Sequence, residues 1–145
     1  MVIVFIVGIL VLLVSVAVVV AIAKDPGVQP EDVAVAYELA WDKLDFESLY
    51  TLAGPELRDG LDRRQFIAAK DAAYAQQHAM TGLAERVGVD DSATAGDAAI
   101  VATRVELHDG GVVLNRVDLA RRSGHWEVVG YRLAPTDAGG PPAGS

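Results

Sequence analysis

The sequence predicts an α+β chain, in which an N-terminal transmembrane helix precedes three helices packed on a curved antiparallel sheet of about four strands. Three observations predict it. No charged residue occurs before Lys24, and Val2–Ala23 is interrupted only by Gly8 and Ser15. From Pro30 onwards apolar residues recur at helical spacing, and after Gly82 the period changes to alternation, punctuated by glycine-containing turns.

As a helix, the 22 residues of Val2–Ala23 would span about 33 Å against a hydrocarbon core of about 30 Å. Backbone polar groups in lipid need internal partners, which a helix supplies. A small domain cannot surround so long an apolar cylinder, so residues 1–23 are read as a single-pass anchor in the cell membrane, with the bilayer as partner through Val2 to Ala23. A cleaved signal peptide competes with this reading, because Ala21-Ile22-Ala23 has the small-x-small form of a processing site. Against it, the apolar stretch exceeds the usual run of about 7–15 residues and no Lys or Arg precedes it. Lys24 is the one base near either end, and it tips the following domain towards the cytoplasm.

Outside the anchor the composition is ordinary: about 44% of it is hydrophobic, which suits one globular domain. The net charge of −8, from 12 basic and 20 acidic side chains, argues against nucleic acid, which requires clustered Lys and Arg. There is no cysteine, which excludes disulfides, thiolate zinc sites and cysteine nucleophiles.

Residues 24–29 form a short polar linker broken by Pro26 and Gly27. Pro30 suits the first position of a helix, with Glu31 and Asp32 complementing its dipole. Val33, Ala36, Tyr37, Ala40, Trp41 and Leu44 then make one apolar face. Asp45 is placed to cap a second helix, Phe46–Leu52, stopped by Gly54-Pro55. Asp62 to Gln65 has the form of a capping box opening a third helix that runs to about Ala79, with Phe66, Ala69, Ala73 and Met80 as its stripe and Ile67 and Tyr74 beside it. Strands are expected near Leu83–Val89, Ala98–His108, Val112–Arg122 and Trp126–Ala134, with turns at Asp109-Gly110-Gly111 and Ser123-Gly124. The stretch Val89–Asp97 reads as a solvated loop. The domain thus covers 30–134, and the tail 135–145 has no apolar pattern and is expected to be disordered.

The first helix VAVAYELAWDKLDFESLY, the capped helix DRRQFIAAKDAAY and the closing hairpin LARRSGHWEVVGYRL resemble the nuclear-transport-factor-2-like (NTF2-like) superfamily. The resemblance covers about Pro30 to Ala134. It implies a cone-shaped fold, and its enzymes, such as ketosteroid isomerases and polyketide cyclases, hold an Asp or His in the cone as general acid or base.

Named catalytic motifs are absent: there is no Walker loop, GxGxxG, HExxH or GxSxG. His78, His108 and His125 offer no ligand-spaced pair, so neither a metal nor a cofactor is expected. Placing Gly111 in the left-handed position of the central turn sets Val101, Thr103, Val105 and Leu107 against Leu119, Val117, Asn115 and Val113 on an apolar face. The polar exceptions on that face are Thr103 and Asn115, and Tyr131 joins them from the last strand. With Tyr37, Trp41 and Tyr74 they form the candidate lining of a ligand pocket, Tyr50 being a further aromatic nearby; the alternative is that the aromatics are core. No inward strand position carries a carboxylate, so no catalytic residue is assigned. Asp42, Asp71 and His78 are the helical candidates should the domain be an enzyme.

The resulting expectation is a membrane-tethered small-ligand-binding or protein-interaction module without catalytic activity. An isomerase, dehydratase or cyclase type of enzyme acting on a small apolar substrate is one alternative, and a structural subunit of a membrane complex is another. Simple alternation along the last strand puts Trp126 and Val128 on the outer sheet face, where they would join a homodimer or a similar domain.

Overall fold

A computed structural model describes residues 27–77 and 80–134. Residues 1–26, 78–79 and 135–145, which carry the expected anchor, most of the expected linker, His78 and the expected tail, lie outside the described residues. Among the described residues no helix is long and apolar enough to cross a membrane.

Helix α1 (Pro30–Lys43) begins where the proline and the first-turn acids place it. Leu44 ends it in the left-handed conformation (φ 51°), its N–H donating to the Ala40 and Trp41 carbonyls. Asp45 then caps α2 (Phe46–Leu52), accepting from the Ser48 N–H at 3.1 Å and the Ser48 hydroxyl at 2.6 Å. Beyond it the Gly54 N–H donates to the Val128 carbonyl at 2.8 Å, tying the helical layer to the sheet. A 3₁₀ turn at Pro55–Leu57 leads to α3 (Arg63–Ala73). The capping box is present: Asp62 accepts from the Gln65 N–H at 2.8 Å and Gln65 accepts from the Asp62 N–H at 3.1 Å.

Helix α3 is shorter than the periodicity suggests, and its stripe is different. Ala69 and Ala73 are exposed; Phe66 is buried, and Lys70 and Tyr74 are half-buried at the following turns. Aromatic and aliphatic bulk, not apolarity alone, selects the face. Phe66 meets the Tyr50 ring at 5.5 Å, and Lys70 lays its stem towards the Trp41 and Phe66 rings.

Four strands follow as a meander in the order β1-β2-β3-β4: β1 (Ala84–Ala95), β2 (Ala98–Leu107), β3 (Val112–Arg122) and β4 (His125–Leu133). Val89–Asp97 is not a loop. β1 continues through it to a two-residue turn at Gly96-Asp97, with Gly96 at φ 59°. Its polar composition reflects an exposed edge strand, and bulges near Glu85 and Asp90 interrupt its pairing.

The β2–β3 register differs from the expected one by two residues. Gly110 (φ 89°), not Gly111, takes the left-handed position, so the loop is His108-Asp109-Gly110, and Leu107 N–H donates to the Gly111 carbonyl at 2.8 Å. Val101, Thr103 and Val105 therefore oppose Val117, Asn115 and Val113. A two-residue shift keeps each side chain on its face, but it brings Thr103 directly opposite Asn115.

The expectation for β4 is overturned at its centre. Asp118 pairs with Gly130 while Leu119 pairs with Val128, leaving Val129 as an unpaired bulge. The extra residue resets the alternation, so Val128 and Tyr131 both point towards the helices. Val128 is fully buried and Trp126 packs against the core. Neither forms an outer patch, and a partner surface built on them loses its basis. The outer face instead carries two ion triads, Arg86–Glu106–Arg104 and Arg116–Asp118–Arg132. The core lies between α1, α2 and the sheet, with Leu49, Leu119, Val101, Val117 and Val128 almost wholly buried.

Candidate functional site

One carboxyl group faces the interior from α1. Glu38 is 5% exposed, and all three of its partners come from the sheet. Its Oε1 accepts from the Thr103 hydroxyl at 2.6 Å and from Asn115 Nδ2 at 2.8 Å; its Oε2 accepts from the Tyr131 hydroxyl at 2.7 Å. Asn115 Nδ2 also donates to the Tyr131 oxygen at 3.1 Å, closing the network. Every contact to the carboxyl group is a donor, so the cluster is complementary to a carboxylate without any cation beside it.

Local structure explains each position. Thr103 on β2 and Asn115 on β3 are a directly opposed pair on the inner face, and Tyr131 lies opposite Val117 one strand further. The Tyr37 ring meets the Tyr131 ring edge-on at 5.2 Å, fixing the phenol over Glu38. Burial, with the Glu38 charge and hydrogen bond adding to it, raises the Tyr131 pKa far above the ordinary phenol value. The hydroxyl is therefore a permanent donor. Burial also raises Tyr37; the nearby Trp41 indole opposes part of that rise, although its Nε1 is buried without hydrogen-bond geometry to any partner.

The six candidate lining residues fall into two groups. Thr103, Asn115, Tyr131 and Tyr37 gather around Glu38. Trp41 and Tyr74 belong to a separate aromatic cluster with Phe46, at centroid distances of 5.6 to 6.4 Å. Tyr50 stands apart from both, beside Phe66 with the Arg58 and Arg63 guanidiniums over its ring. Two grooves of about 460 and 470 Å³ open on the outer side of the helices, and none of the six residues lines either.

The helical acids have other work. Asp42 Oδ1 accepts from the Ala84 N–H at 3.0 Å, and the Asp42 carbonyl accepts from the Gly82 N–H at 2.9 Å. It clamps the start of β1 to the end of α1. Asp71 is exposed on the outer face of α3, and His78 lies outside the described residues. Among the described residues no group of three or more His, Cys, Asp or Glu is placed to hold a metal ion.

Glu38 is the residue that sequence reasoning passes over. It lies four positions after Ala34 and three before Trp41, inside the arc that α1 buries, whereas Ala36 lies towards its outer side. Two inward polar residues on neighbouring strands were the available signal, since buried donors require an acceptor.

No protein-family model matches the sequence, and no curated protein sequence does. Solved structures do. A Campylobacter jejuni chain described as an NTF2-like transpeptidase is 17% identical, with a TM-score of 0.51 over 70% of this chain and 97% of that one. A SEC-C motif containing protein of Rhodopseudomonas palustris is 18% identical, with a TM-score of 0.51 over 72% and 78%. An NTF2-like protein of unknown function from Silicibacter pomeroyi is 16% identical, with a TM-score of 0.47 over 70% and 90%. The domain has the NTF2-like fold. At these identities the likeness is one of fold, not of activity.

Proposed function

We propose that the chain is a membrane-tethered protein-interaction module whose cone is filled by its own side chains and performs no catalysis. One observation carries this reading: the only acid found facing the interior among the described residues is buried and engaged on both oxygens by three donors. A general base must reach a substrate proton directly or through one water. Glu38 reaches Thr103, Asn115 and Tyr131 instead, and the grooves beside the helices open elsewhere. Tyr37, Trp41 and Tyr74 pack on other aromatic rings, which favours their role as core over a ligand lining. The tether rests on Val2–Ala23, whose length and lack of charge suit a bilayer. The full chain should stay in the membrane fraction under carbonate washing, and deletion of Met1–Ala23 should release it.

A second reading has its own observation. A carboxyl group beside a phenol and an amide is a chemically competent constellation, and an enzyme of the isomerase, dehydratase or cyclase type would use Glu38 rather than Asp42 or Asp71. Glu38→Gln separates the two. A structural Glu38 predicts a loss of about 1–3 kcal/mol, because the new amide places a donor against a donor, with any cellular phenotype falling only as folded protein falls. An abolished phenotype at unchanged thermal stability would replace the interaction module with the enzyme.

A further inference from the structure

We propose that a second copy of this chain docks along the outer face of α1, the two helices antiparallel about a two-fold axis midway between Ala36 and Leu39. The proposal rests on the interaction-module reading and names its partner. Asp32, Ala36, Leu39 and Lys43 form one stripe on the side of α1 turned away from the sheet, at the spacing of a helical seam. Leu39 is 38% exposed, although its neighbour Glu38 is buried. Beside it, a groove of about 460 Å³ runs between α1 and α2, lined by Ala36, Ala40 and Leu52 and closed by Arg63.

The stripe is self-complementary when reversed. Ala36 lies four residues inside Asp32, and Leu39 four residues inside Lys43. Antiparallel pairing about the midpoint therefore sets acid against base and large against small, and each contact occurs twice, as a closed isologous interface requires. Leu39 of each copy enters the groove beside Ala36 of the other. Asp32 meets Lys43 at both ends, and Lys43 forms no ion pair among the described residues. A parallel arrangement would oppose Asp32 to Asp32 and Lys43 to Lys43, which like-charge repulsion disfavours. A lipid surface fits poorly, since Asp45 and Glu47 on the rim balance Lys43 and Arg63. Tethering of both copies in one membrane would raise their effective concentration.

The chain contains no cysteine, so engineered pairs report contact without background. Full chains carrying Asp32→Cys and Lys43→Cys are co-expressed in the same membranes and oxidised. Bridging requires Cα atoms within roughly 7 Å, so the mixed disulfide should exceed either self-disulfide about tenfold. Because Asp32 also accepts from the Gln29 N–H, Ala36→Cys with Leu39→Cys serves as a second pair that disturbs no cap. Leu39→Glu, introduced beside the 32/43 pair, should cut the mixed product about tenfold in proportion to a lost central anchor, while Leu133→Glu, exposed at the far end of β4, should leave it unchanged. Equal mixed and self products from both pairs, or insensitivity to Leu39→Glu, would overturn the proposal. Photocrosslinking from position 39 to a different protein, without self-product, would also overturn the second copy yet preserve the interaction module. A catalytic outcome for Glu38→Gln would remove that module and leave the pairing to stand on its own disulfides.

Discussion

The two faces of α1 differ in a way that adjacent residues make plain: Glu38 is 5% exposed and Leu39 is 38% exposed. Burial usually sorts these residue types the other way. On the inner face the acid is held because three donors from three different strands converge on it, at 2.6 to 2.8 Å. On the outer face the leucine borders a groove that the chain itself leaves open. The inner face is thus complete within one molecule, whereas the outer face has room for another. Apolar residues make most of the core side of this helix; hydrogen bonding decides that Glu38 joins them there.

The sharpest way to break the comparison is to truncate both residues. Glu38→Ala strands the Thr103, Asn115 and Tyr131 donors in the interior, and should cost roughly 3–5 kcal/mol of stability in denaturant titration of the full chain in detergent. Leu39→Ser, at a partly buried position beside the outer groove, should cost less, about 1–2 kcal/mol, from lost burial and helix propensity. Similar losses for the two would mean that the network is not what holds α1 to the sheet.

A smaller effect should follow from Tyr131→Phe, about 1–2 kcal/mol at neutral pH, through loss of the hydrogen bond it donates to Glu38 and the one it accepts from Asn115. Its pH dependence is more telling. The folded-state pKa of Tyr131 is raised above its unfolded value near 10, so the folded state holds the proton more tightly. The associated stability is fully present below about pH 10 and is lost as pH rises beyond it. Alkaline unfolding should therefore be displaced upwards, or flattened, in Tyr131→Phe. An unchanged alkaline limb, followed by circular dichroism, would show that Tyr131 does not carry that linkage.

The smallest contrast lies between the two remaining helical acids. Asp42→Ala removes the side-chain acceptor of the Ala84 N–H and should cost about 1 kcal/mol. Asp71→Ala, on an exposed face, should stay within about 0.5 kcal/mol of the parent. Thermal melts of the two variants side by side test the assignment, and equal midpoints would remove Asp42 from its clamping role.

Local chemistry in the sequence determined much of the fold. Pro30, Asp45 and Asp62 mark helix starts because they satisfy or dispense with orphan N–H groups, an effect that needs no tertiary partner. The change to alternating periodicity after Gly82 identified the sheet for the same reason. It also put Thr103, Asn115 and Tyr131 on one face, since side-chain direction in a strand has period two. The tertiary structure alone decided the rest. A bulge at Val129 turned Val128 inwards and removed the expected outer patch; such an insertion becomes visible only when two strands are paired. Gly110 rather than Gly111 took the positive-φ position, because either glycine could and only the cross-strand bonds choose. Glu38 became the centre of the site for a similar reason. A carboxylate on a helix is read as solvated until partners contributed by distant strands are assembled around it, and that assembly is a property of packing, not of any local window of sequence.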